Sequence, residues 1–116
     1  MKIIIAGAFA IGSHLAKLLS RTNQDVVLID EDEERLASVS GDYDLMTLHA
    51  SPTSVKALKE AGVEDADLFI GVTLDESINM NSCILAHSRK KLFIHPCDPV
   101  GSILQSFPFL ILAYPL

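Results

Sequence analysis

Three sets of residues in this chain could do chemistry. The first is the run Gly7-Ala8-Phe9-Ala10-Ile11-Gly12, with Asp30 eighteen residues beyond it. Glycines at such positions after a strand permit a tight turn and close packing of helix on strand, and a carboxylate about twenty residues later can accept hydrogen bonds from a ribose. The chemistry is that of binding a dinucleotide or a related nucleotide. Phe9 stands where a middle glycine would let the backbone approach the pyrophosphate, so its ring is expected to take up phosphate space and weaken binding.

The second set is His95 and Cys97, just ahead of Asp98-Pro99, which reads as a helix N-cap followed by proline at the first helical position. A thiol at a helix N-terminus can have a lowered pKa and a neighbouring imidazole can act as its base, which would make a nucleophile for ester or amide hydrolysis. The two side chains point the same way only if Pro96 continues the preceding strand; otherwise Cys97 is an ordinary loop cysteine. The third set is Ser13, Ser51 or Ser77 as nucleophile, with His49 or His95 as base and Asp30 or Asp75 as the orienting acid. No one combination stands out, and Ser51, before Pro52, reads equally as an N-cap. His14 reads as a surface residue and His87 as a helix C-terminal cation. His49, His87 and His95 lack the carboxylate spacing of a metal centre, so no metal is expected.

The elements that must position these residues alternate between short β-rich runs and helical periods, the signature of consecutive βα units and a parallel sheet. Strands are expected at residues 2–6, 25–29, 45–48, 68–72, 92–95 and 109–114. Several are apolar on consecutive residues, as in strands covered on both faces. Gly12 opens a helix with Ile11, Leu15, Leu18 and Leu19 on one face, and Asp32-Glu33-Glu34 supplies the acidic first turn of a second. Ser51-Pro52 starts a third, which Gly62 stops; residues 75–87 form a fourth, with Ile78, Cys83, Ile84 and Leu85 inward. Of the phenylalanines, Phe9, Phe69, Phe93, Phe107 and Phe109 read as core or pocket lining. Right-handed crossovers then give one α/β domain over residues 1–116, a doubly wound, Rossmann-like, six-stranded parallel sheet in the order 3-2-1-4-5-6, with ligands at the carboxyl ends of the strands.

Composition narrows the function classes. The 116 residues carry 9 Lys+Arg against 15 Asp+Glu, a net charge of −6, and only Arg89-Lys90-Lys91 is locally basic. This argues against nucleic acid as a partner, because phosphate binding draws on clustered cations. Two cysteines make no disulfide framework, which suits a reducing, cytoplasmic setting. The apolar stretch at residues 107–116 is too short to span a bilayer and holds Pro108 and Pro115, so no direct membrane insertion is expected.

Residues 2–19, Val27-Leu28-Ile29-Asp30-Glu31-Asp32, Ser51-Pro52-Thr53-Ser54, Leu58-Lys59-Glu60-Ala61-Gly62-Val63 and residues 66–79 together resemble the TrkA N-terminal domain, the RCK or KTN nucleotide-binding domain. The resemblance covers roughly residues 1–86 and thins beyond. It implies a cytosolic regulator of a potassium uptake system that binds NAD(H) or an ATP-like nucleotide, passes the change to a membrane subunit and assembles as a dimer or larger ring. On it, Gly7, Gly12, Asp30 and Thr53 match positions that hold pyrophosphate, ribose and adenine, and Thr73, Asp75, Glu76 and Asn79 match the stretch after the fourth strand. The departures are Phe9, Ala50, Leu74, Ile78 and His95, with His87-Ser88-Arg89 and His95-Pro96-Cys97 also unlike the family, and they cluster on the ligand edge. Their clustering suggests a remodelled pocket, natural or engineered, whose alternative use would be hydrolysis through Cys97 or a serine with His95. The acidic Asp30-Glu31-Asp32 edge further predicts a preference for NAD over NADP.

Overall fold

Ile3, Ile4 and Ile5 are consecutive, β-branched and all buried, so the strand that holds them must be covered on both faces. A computed structural model of the chain, which describes residues 2–39, 41, 44–89 and 109–111, shows how. The elements run β1 (Lys2–Ala6), α1 (Ala10–Ser20), β2 (Asp25–Asp30), α2 (Glu33–Ala37), β3 (Met46–His49), α3 (Val55–Glu60), a 3-10 turn (Val63–Asp65), β4 (Leu68–Gly71), α4 (Glu76–Arg89) and β5 (Phe109–Ile111). The strands form a parallel sheet in the order β3-β2-β1-β4-β5.

Side chains alternate between two cores, as the period of two requires. Ile4, Ala6, Val27, Ile29 and Phe69 point to one face, where they meet Leu58 of α3 and Cys83 and Ala86 of α4. Ile3, Ile5, Val26, Leu28, Ile70 and Val72 point to the other, beneath Ala16 of α1 and Leu36 of α2.

The sheet departs from the sequence expectation in its fifth strand. The segment expected as a sixth strand at 109–114 supplies β5 at Phe109–Ile111, and it pairs directly with β4 through Phe69 opposite Phe109 and Gly71 opposite Ile111. Five strands are therefore described rather than six. The strand expected at 92–95 and the helix expected after Asp98 lie outside the described residues.

Helix boundaries differ for local reasons. α1 opens at Ala10, with Phe9 as N-cap, so Gly12 sits inside its first turn. Its buried residues are Gly12 and Ala16, while Ile11 and Leu18 are exposed, because small side chains let the helix lie close to the sheet. On α4, Cys83 is buried and Leu85 packs on the core as expected, but Ile84 is exposed and Asn79, Ser82 and Ala86 are buried beside Cys83. The N-cap of α3 is Ser54, not Ser51: the Ser54 hydroxyl accepts from the Ala57 amide at 3.3 Å. Asp32 caps α2, accepting from the Glu34 amide at 2.9 Å, and leaves Glu33 and Glu34 in the first turn. Gly62 follows α3 at φ +85°, the left-handed stop expected there.

Candidate functional site

The carboxyl ends of β1, β2 and β4 meet at one place, and two glycines make the meeting possible. Gly7 has φ +115°, donates its amide to the Ile29 carbonyl at 2.8 Å, and has no room for a side chain, since a Cβ would lie 2.8 Å from the Thr73 nitrogen. A Cβ at Gly12 would overlap the Gly7 carbonyl oxygen, so the turn is closed from below by the helix that follows it. Phe9, between them, is extended (φ −75°, ψ −170°) and gives α1 no side-chain cap. The first amides of α1 thus receive no side-chain acceptor from their N-cap residue.

Asp30 ends β2 and is only 3% exposed. Its Oδ2 accepts from the Ala8 amide at 2.7 Å; its Oδ1 accepts from the Asp32 amide at 2.7 Å and from Arg35 Nε at 3.1 Å. Arg35 Nη2 also lies 3.0 Å from Oδ1, and Nη1 lies 3.2 Å from Asp32 Oδ2. Burial pushes the Asp30 carboxyl up, but the Arg35 hydrogen bond, the two backbone amides and the nearby guanidinium charge outweigh it and hold the group below the ordinary carboxylate value. The Arg35 guanidinium in turn stacks on Phe9, its Cζ 4.0 Å from the ring centroid.

The third wall follows β4. The Thr73 amide and hydroxyl both donate to Asn79 Oδ1, at 2.8 and 2.6 Å, and Asn79 Nδ2 returns a hydrogen bond to the Thr73 carbonyl at 3.0 Å. Asn79 is fully buried in α4, so the loop beside Gly7 is fastened to a helix. Asp75 Oδ1 accepts from the Ser77 hydroxyl and amide and from the Ile78 amide, in that place ordering the start of α4; these bonds lower its pKa.

Between the three walls lies a cleft of about 150 Å³, open to solvent. Of the residues assigned to nucleotide binding from sequence, Gly7, Phe9, Asp30 and Thr73 line it, Gly12 packs beneath the turn, and Thr53 does not line it; Pro52 does. Leu74 and Ile78 add an apolar side, and Arg35 and Glu31 a charged one. Arg35 was not anticipated. The signal available was its i,i+3 spacing from Asp32 in a helix with an acidic start.

Among the described residues, the serines and His49 considered for hydrolysis are not brought together. His95 and Cys97 lie outside the described residues. Ser13 Oγ donates to the Ala8 carbonyl at 2.7 Å, Ser51 pairs with Thr53 Oγ1 at 2.9 Å, and Ser77 donates to Asp75. His49 Nε2 lies 2.8 Å from the Glu31 carbonyl oxygen, so among the described residues no serine is hydrogen-bonded to a histidine. Cys83 is buried, and that burial pushes its thiol up to about 11, against a hydrogen bond with the Gly71 backbone. Among the described residues there is no cluster of His, Cys, Asp and Glu able to hold a metal ion, and no helix long and apolar enough to cross a membrane.

A parallel sheet with a glycine turn after β1, an acid at the end of β2 and helices on both faces defines a Rossmann-like α/β domain. Solved structures agree on that fold: the NAD(P)-binding domain of an exopolyphosphatase-related protein from Archaeoglobus fulgidus superposes with a TM-score of 0.70 at 16% identity, covering 97% of this chain and 86% of that one. The AMP-bound Kef C-terminal domain of Shewanella denitrificans superposes with a TM-score of 0.64 at 19% identity, covering 98% and 73%. Residues 3–95 match the TrkA-N domain family, and the chain belongs to that family. Among curated proteins it is 33% identical to the Trk system potassium uptake protein TrkA of Halomonas elongata, over 90% of this chain and 27% of that protein. It is 39% identical to TrkA of Haemophilus influenzae, over 76% of this chain and 19% of that protein. The chain thus spans about a fifth to a quarter of these relatives' length.

Proposed function

We propose that this domain is a nucleotide-binding regulatory unit of a potassium uptake system, taking NAD(H) or an ATP-like nucleotide in the cleft at Gly7, Asp30 and Thr73. The observation that carries this reading is the glycine turn, in which Gly7 and Gly12 each leave no room for a Cβ. The turn brings backbone close to the start of α1, and backbone amides at a helix start suit a phosphate. The cofactor would be recognised at its ribose by Asp30 and at its phosphates by the Gly7 to Gly12 turn. Thr53, outside the cleft lining, would approach the adenine only if the segment after β3 moved inward.

Phe9 is read as a brake on affinity, because its ring borders the cleft at the position where a glycine would leave space for phosphate. Kinship with potassium uptake proteins supports a membrane transporter subunit as partner, and a cytoplasmic location and self-association are proposed with it. The test is a thermal melt with millimolar NAD(H) or ATP. Ligand that binds only the folded state raises its melting temperature with concentration. The native chain should shift little and Phe9→Gly clearly more; a large native shift would remove the brake, and no shift in either would remove the nucleotide.

A further inference from the structure

Asp30 cannot receive a ribose diol as it stands. A carboxylate offers about four acceptor positions. Here the Asp32 amide and two nitrogens of Arg35 converge on Oδ1, and the Ala8 amide takes one side of Oδ2. The residue is also 3% exposed. A pair of hydroxyls addressing both oxygens would have to displace one of these donors, and of the three only Arg35 is a side chain that can leave.

Arg35 has somewhere to go. It already reaches Asp32 through Nη1 at 3.2 Å, and Asp32 is 40% exposed. Its guanidinium is held in place from the other side by the Phe9 ring at 4.0 Å. Phe9, Arg35 and Asp30 all line the one cleft. We propose that Phe9 and Arg35 form a clasp over Asp30 that a ribose-bearing nucleotide must open, so that hydroxyl contacts to Asp30 are gained only as the Arg35 contacts are given up. The proposal rests on the reading of this cleft as a nucleotide site and adds its specificity device: the clasp cancels the advantage that a ribose would otherwise have over a deoxyribose.

The experiment is a calorimetric titration of the native chain, Arg35→Ala and Phe9→Leu with ATP and with 2′,3′-dideoxy-ATP. The ratio of the two dissociation constants is the readout, because relief of crowding at the phosphates changes both constants alike. In the native chain the ratio should lie within about twofold of one. Without Arg35, ATP should bind about tenfold more tightly while the dideoxy compound changes little, a gain the size of hydrogen bonds to a charged acceptor. Phe9→Leu, which keeps the ion pair and loosens the stack, should move the ratio part of the way and covers the case in which Arg35→Ala does not fold. If Arg35→Ala weakens both nucleotides equally, Arg35 is a ligand contact and the clasp is overturned. A native ratio already near ten, unchanged in the variants, overturns it as well while leaving the nucleotide site standing. Binding of neither compound to any of the three proteins overturns the nucleotide reading and the clasp with it.

Discussion

At Asp30 three donors and a buried carboxylate decide both stability and chemistry. Its carboxyl is held below the ordinary 3.8, so the stabilisation it gives is full above the unfolded value and is lost as pH falls through 3.8 toward the lower folded value. Asp30→Asn should therefore lower stability at pH 7 by about 2 kcal/mol, as for lost hydrogen bonds to a charged group, and the difference from the native chain should shrink below about pH 4. Urea unfolding at pH 7 and pH 3 measures this; an equal deficit at both would contradict it. Cys83, buried and with its thiol at about 11, should react with iodoacetamide at neutral pH only in urea. Gly7, Asp30 and Thr73 were legible in the sequence because strand ends and glycine spacing locate them. Arg35 was not, since what matters is that its side chain turns back over Asp30, and residue spacing carries no record of that direction.

The elements show where reading by apolar pattern succeeds and where it misleads. The strands β1, β2 and β4 were legible because burial on both faces demands consecutive apolar residues, as in Ile3 to Ile5. Inward helix faces were legible only in part: Leu15, Leu19, Cys83 and Leu85 pack on the sheet as expected, but close approach also selects Gly12 and Ala16 on α1 and Ser82 and Ala86 on α4, leaving Ile11, Leu18 and Ile84 exposed. The start of α3 was misplaced for a related reason: Ser51 and Ser54 both precede it, and a hydroxyl caps whichever amide the chain presents. Ser54→Ala should cost about 1 kcal/mol, whereas Ser51→Ala should cost less than about 0.5 kcal/mol. Thermal denaturation of the pair settles the assignment, and the reverse order would restore Ser51 as the cap.

At the scale of the whole molecule, the described strands run from β3 on one side to β5, beside β4, on the other. Exposed apolar side chains stand on α1 (Ile11, Leu18) and on α4 (Met80, Ile84). Exposed apolar surface of this kind favours association, so a homodimer is expected by light scattering at micromolar concentration. A mass equal to one chain would contradict that. The doubly wound order from β3 to β4 was legible because handedness leaves few alternatives, but the direct pairing of β4 with Phe109–Ile111 depends on a choice among distant segments that local patterns do not encode.

The central claim is that a nucleotide binds in the Gly7 cleft. The direct measurement is an amide chemical-shift titration of the isotopically labelled chain with NADH, which registers weak binding residue by residue. The largest, saturable changes are predicted at Gly7, Ala8 and Phe9, at Asp30 to Asp32, and at Thr73 and Leu74. Saturable changes centred elsewhere, or none at millimolar NADH and ATP, would contradict it.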